Sequence, residues 1–199
     1  MKEGYVKFRS FLHQNSPPSD RELKDMYRWR EVLYRLKYIG AYHNGVGYGN
    51  ISIRCQLGRE FIISGTGTGG TPVLQSKHFV RVTDYDLKKN QVVCLGMMHA
   101  SSESMTHAAL YDCDVSIGAI IHIYSKKFWD MLKNQLPLSD PSAAYGTLEM
   151  AREMVRLYRH TAFKRIGVMI MGGHEEGIFS FGSTLHEAGE RLLSVLKED

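Results

Sequence analysis

Two histidines far apart in the chain have the surroundings of a cation site. His122 lies in the apolar run 117–125 (IGAIIHIYS), and His174 in the stretch 172–177 (GGHEEG). Alternate residues of a strand share a face, so His122 and Tyr124 are expected to project together from a strand end. His174 would arrive from a glycine-rich turn after a second buried run, residues 167–171. Imidazoles are ready ligands for zinc-like ions, but two of them do not close a site.

A second group of residues suits an anion. Ser101, Ser102 and Glu103 open the stretch HASSESMTHAALYD, where a serine is expected to cap a helix and Glu103 to lie in its first turn. Hydroxyls and free amides at such a helix start can bind phosphate while the carboxylate moves protons; an ordinary helix start explains the same residues with no ligand. Upstream, FIISGTGTGG (residues 61–70) runs a short strand into a glycine-rich loop, which is either a plain turn or a nest of amides for an anion. Gly65, Gly67 and Gly70 match GxGxxG in form. A dinucleotide fold needs a long crossover helix directly afterwards, and Thr71 and Pro72 followed by the alternating FVRVT leave no room for one. No GK[ST] follows, so a nucleotide P-loop is excluded.

These residues must be positioned by a chain of 199 residues and 22.6 kDa, which suits one domain, 1–199, with residues 1–20 as an N-terminal extension. No apolar stretch approaches the roughly 20 residues of a membrane span, and the N-terminus lacks a signal-peptide core, so a soluble cytoplasmic protein is expected, with no membrane partner. Cys55, Cys94 and Cys113 lack CxxC spacing and are expected to be core thiols. The net charge of +4 is dispersed rather than gathered on a stripe, which argues against nucleic acid and fits a small anionic substrate.

Leu23, Met26, Leu33 and Leu36 recur at helical spacing after the cap cluster 16–20, predicting a helix that ends at Gly40. Strands are predicted from Asn50, over 61–64, 79–83 and 91–96, across the His122 run, at 167–171 and over IFSF (178–181), with TDYDLKKN as a turn. Ser125 and Thr147 are expected to cap helices, and Thr184 with Glu187 to form a capping box on the last one. Neighbouring strands joined by short turns imply a mainly antiparallel sheet between helix layers, a three-layer α-β-α sandwich.

Taken together, GYGNIS (47–52), IISGTGTG (62–69), SSE (101–103), AIIHIYS (119–125), YGTLEMA (145–151) and GGHEEGIFSFG (172–182) resemble the class II aldolase and adducin family, in order from about residue 25 to the end. That family contains sugar-phosphate aldolases, epimerases and dehydratases, and the adducin head, which does no known chemistry. The resemblance implies a divalent metal, zinc first, on three histidines, and maps it onto His122 and His174. It places a substrate phosphate against Asn50, Ser64, Gly65, Ser101 and Ser102, and makes Glu103 the acid/base. The metal would polarise substrate oxygens so that an enediolate forms without free charge.

Tyr124 stands where the second histidine of the family's HxH pair belongs. A phenol of ordinary pKa about 10 must ionise to ligate well, so either Tyr124 binds as phenolate, or His99, His107, Glu103 or water completes the shell, or no metal binds. A tyrosine that some family members borrow from a neighbouring subunit has only Asp140 and Tyr145 as nearby candidates. Two readings follow: a metal-dependent lyase, epimerase or dehydratase for a small phosphorylated sugar, or an adducin-like binding module. The family resemblance also implies a homo-oligomer, a tetramer in many members, with the site near a subunit contact.

Overall fold

The computed structural model describes residues 6–55 and 58–197. In chain order the elements are β1 (Arg9–Gln14), α1 (Asp20–Arg35), β2 (Gly40–Ala41), β3 (Gly47–Tyr48), β4 (Asn50–Arg54), β5 (Phe61–Ser64), β6 (Phe79–Asp86) and β7 (Gln91–Gly96). Then follow α2 (Ser104–Tyr111), β8 (Ala119–Tyr124), α3 (Lys126–Leu132), α4 (Leu148–His160), α5 (Phe163–Ile166), β9 (Val168–Ile170), β10 (Gly177–Gly182) and α6 (Leu185–Val195).

Eight strands form one sheet in the order β1-β7-β6-β5-β4-β8-β10-β9, and β2 and β3 make a separate ribbon. Every pairing in the large sheet is antiparallel except β1 with β7. Two apolar clusters cover its faces. One joins Met105 and Ala108 of α2 and Met154 of α4 to Ile120 and Phe179, and the other joins Leu23 of α1, Trp129 of α3 and Leu192 of α6 to Ile121 and Ile178. The architecture is the three-layer sandwich that the strand pattern implied. Each fully buried Ile or Leu contributes on the order of 2 kcal/mol, so alternation along β8 fixes its facing: Ile121 and Ile123 go to the α1/α6 side, and Ile120 with His122 to the other.

Four elements differ from their sequence expectation. α1 stops at Arg35, because Lys37 takes a left-handed conformation (φ 59°) and lets the amides of Lys37 and Tyr38 close on the carbonyls of Tyr34 and Leu33; glycine more often plays this part. β6 continues past Thr83 to Asp86 through a bulge between Val82 and Asp84, and the turn shrinks to residues 87–90, where Asp86 accepts from the amides of Lys88 and Lys89. Residues 9–14, read as part of an extension, supply the parallel edge strand β1. At α6 only half of the capping box forms: Thr184 accepts from the Glu187 amide, but the Glu187 carboxylate turns to Ser183.

Among the described residues no helix is long and apolar enough to cross a membrane.

Candidate active site

β8 is the element the site is built on. Its residue His122 is paired across the sheet with Asn50 of β4 and Phe179 of β10. The Phe179 ring stacks on the imidazole at 4.3 Å, and Asn50 Nδ2 lies 3.4 Å from Nδ1. Nε2 is buried with no hydrogen-bond partner among the described residues. Burial first, then the charges of His174 and His107, keep His122 far below its ordinary pKa, so it is a neutral imidazole.

Two residues on, Tyr124 projects from the same face, and His174 reaches it from the turn between β9 and β10. His174 Nε2 and Tyr124 Oη are 2.5 Å apart, and the ring centroids of His122, Tyr124 and His174 lie 4.8 to 6.2 Å from one another. Burial lowers the pKa of His174 to about 4. The paired glycines before it are required by packing: a Cβ on Gly172 would stand 2.1 Å from the Ser139 carbonyl oxygen, and one on Gly173 2.0 Å from that of Ala143.

Glu103 sits immediately before α2, one position earlier than the first turn assigned to it, and α2 begins at Ser104. Ser101 Oγ accepts from the Glu103 amide at 3.3 Å. The Glu103 carboxyl is 2% exposed; Oε2 accepts from Thr106 Oγ1 at 2.7 Å and Oε1 is without a partner among the described residues. Burial raises its pKa to about 7, against the opposing pull of the Thr106 hydroxyl, the Lys7 ammonium and the Gly146 amide. A carboxyl poised near neutrality can both take and return a proton.

Asn50, Gly65, Ser101, Ser102, Glu103 and Tyr124 line one narrow cleft, ≈ 30 Å³, enough for about two waters. Tyr145 is a shared wall between this cleft and an outer cavity of ≈ 700 Å³, which His174 also lines. Ser64 is not among the residues lining the cleft, and its hydroxyl accepts from the Ile51 amide at 3.3 Å within the sheet. The amides of Gly65 and Thr66 are likewise taken, by the carbonyls of His78 and His99. That leaves, among the described residues, the loop amides of Gly67, Gly69 and Gly70 without an acceptor.

Of the other donors considered for a third ligand, Glu103 lines the cleft with Tyr124, whereas the two histidines are engaged elsewhere. His99 is bonded through Nδ1 to Ser10 at the sheet edge, and His107 to Ser52 at 2.8 Å under α2. Among the described residues, no three of His, Cys, Asp and Glu are grouped to hold a metal. Two neutral imidazoles and a phenol nevertheless make a three-donor set, and the orphaned Nε2 of His122 is the kind of atom an ion satisfies. His122, His174 and the Tyr124 oxygen are the residues that could hold a divalent ion. Asp140 is spent on its own turn, accepting from the amide and hydroxyl of Ser142, whereas Tyr145 packs 4.7 Å from the His174 ring.

The sequence motif matches the class II aldolase and adducin N-terminal domain over residues 34–197. The chain belongs to the class II aldolase and adducin family. Solved structures share the fold at low identity. L-fuculose-1-phosphate aldolase from Thermus thermophilus is 19% identical with a TM-score of 0.63, covering 89% of this chain and 90% of its own. A sugar-phosphate aldolase from Thermotoga maritima is 14% identical with a TM-score of 0.67 over 88% and 90%, and YgbL from Escherichia coli is 18% identical with a TM-score of 0.65 over 88% and 85%. No curated protein matches.

Two residues near this family site escaped the sequence reading. Lys7, in the supposed extension, places its Nζ 3.6 Å over the Tyr145 ring and donates to the Tyr145 carbonyl at 2.8 Å; nothing in its sequence context marks it. Arg30 stands on the buried face of α1 beneath the glycine-rich loop. Its signal was available, a charge at i+4 from Met26 within the apolar stripe.

Proposed function

We propose that the protein is a lyase of this family that cleaves, by a retro-aldol step, a small phosphorylated hydroxy-carbonyl compound. One observation carries the reading: a buried carboxyl with a pKa near 7 faces a cleft shared with serine hydroxyls and a phenol. The substrate's phosphate would rest against Asn50, the Gly69 amide, Ser101 and Ser102. The remainder of the substrate extends along Tyr145 into the outer cavity. Ionised Glu103 removes the proton of the hydroxyl on the carbon that departs; the carbon–carbon bond breaks, and its electrons pass to the carbonyl side. The same carboxyl then returns the proton to the carbon left behind. A divalent ion, zinc first, held by His122, His174 and the Tyr124 oxygen, would supply Lewis-acid polarisation of the substrate's oxygens. Epimerisation or dehydration would draw on the same carboxyl and cradle.

The assembly is proposed to be a homo-oligomer, a tetramer as in many family members, and the chain a single domain acting in the cytoplasm. The activity is tested by incubating metal-reconstituted protein with a panel of sugar phosphates and assaying for aldehyde product.

A second reading has its own observation. The short contact between Tyr124 and His174 ties up the atoms that a metal would use, as expected of an adducin-like module that only binds. Absence of bound metal after reconstitution, together with no product from the panel, would favour it.

A further inference from the structure

A buried charge without a counter-ion holds the glycine-rich loop from behind. Arg30 is 3% exposed, on the same face of α1 as Leu23, Met26 and Leu33. Its Nη2 donates to the carbonyls of Gly69 at 2.6 Å, Thr71 at 3.0 Å and Thr68 at 3.3 Å. Its Cζ lies 4.7 Å over the Tyr34 ring, and among the described residues Nη1 is buried without a hydrogen-bond partner and no carboxylate pairs with this guanidinium. Burial lowers its pKa to about 10, which leaves it charged at neutral pH. An ion taken out of water with only neutral partners is expensive unless an opposite charge is supplied.

The carbonyls it grips explain what that charge does. A planar trans peptide points its carbonyl and its N–H in opposite directions. The carbonyls of Thr68 and Gly69 belong to the peptides that carry the N–H groups of Gly69 and Gly70. Bonding to Arg30 therefore turns those two amides away from the guanidinium and polarises them. They are among the loop amides that lack an acceptor, and Gly69 lines the cleft with Ser101 and Ser102. Gly47 keeps the first of them uncovered, since a Cβ there would lie 3.0 Å from the Gly69 nitrogen. Among the described residues no lysine or arginine lines the cleft itself, and Lys7 lies over the Tyr145 ring.

We propose that Arg30 is the buried cation of an anion site: it aims the peptides of residues 68–70 at the cleft, and an oxyanion headgroup against Gly69, Ser101 and Ser102 is its missing counter-ion. The proposal rests on the phosphate cradle described above and identifies the charge behind it. Arg30 is a positioning residue and touches no ligand.

The test uses inorganic phosphate and the whole chain, with calorimetric titration against chloride of matched ionic strength. Wild type is expected to bind phosphate, and the Ser101→Ala/Ser102→Ala double variant to lose that binding, placing it in the cleft. Arg30→Met should weaken phosphate at least tenfold with its circular dichroism unchanged, and Arg30→Lys, which keeps the charge without the fork, three- to tenfold. If Arg30→Met does not fold, Arg30→Lys decides. Wild-type affinity in the folded Arg30 variants overturns the role of Arg30 and leaves the cradle standing. No phosphate binding by wild type, or binding indifferent to the serines, overturns the cradle and this proposal with it.

Discussion

His174 Nε2 and Tyr124 Oη lie 2.5 Å apart, so the phenol occupies the ligand side of an imidazole that arrives from fifty residues away. In the family pattern a second imidazole stands at this position. Tyr124→His should therefore tighten Zn²⁺ binding by about tenfold or more, because a neutral nitrogen needs no ionisation to ligate. Competition titration against a chromophoric chelator reads this directly. Equal or weaker affinity in the variant would show that Tyr124 is not at the metal position.

Glu103 makes the stability of the fold depend on pH. Its ordinary pKa is 4.5 and its folded value about 7, so below pH 4.5 it is protonated in both states and contributes nothing. As pH rises through that window the unfolded chain ionises freely while the folded one resists, and stability falls. By pH 8 the loss is on the order of 3 kcal/mol. Denaturant titrations of wild type and Glu103→Gln at pH 4 and pH 8 should show the difference moving toward the variant by ~2–3 kcal/mol. A gap independent of pH would mean that the carboxyl is not held protonated by its surroundings.

The same carboxyl should set the acid limb of the rate profile near pH 7, with activity rising as it ionises. Replacement by Gln should lower kcat by roughly 10²- to 10⁴-fold and abolish that limb. An unchanged profile in the variant would remove Glu103 from the chemistry.

Beneath α2, Ser52 Oγ bonds to both His107 Nδ1 and Tyr111 Oη at 2.8 Å, all three fully or almost fully buried. Ser52→Ala strands two buried polar atoms and should cost about 1–3 kcal/mol in thermal or chemical denaturation. A cost near zero would mean that water enters to replace the hydroxyl.

Gly69 is where the loop passes closest to the β2–β3 ribbon: a Cβ would stand 2.3 Å from the Gly40 carbonyl oxygen and 2.6 Å from the Tyr48 nitrogen. Gly69→Ala should displace the loop and weaken phosphate binding more than Gly67→Ala, whose Cβ meets nothing within 4 Å, although its φ of 73° is strained for alanine. Equal effects at the two positions would argue against a cradle shaped by this close approach.

What the sequence made legible was whatever period and local chemistry encode. The facing of His122 and Tyr124 followed from strand alternation, and the layer order from the turn spacing. Four things depended on long-range contacts. β1 was missed because Arg9–Gln14 carries little apolar alternation and is stabilised by its partner β7. Ser64 reads as a phosphate ligand, but in the sheet its hydroxyl serves the Ile51 amide. The depth of Glu103 and the grip of Arg30 on the loop arise from packing that no local pattern records.

The most direct measurement is aldehyde release from a panel of sugar phosphates by zinc-reconstituted wild type and by Glu103→Gln. The account predicts product from at least one substrate and its near-complete loss in the variant. No product across the panel, or equal turnover by both proteins, would contradict it.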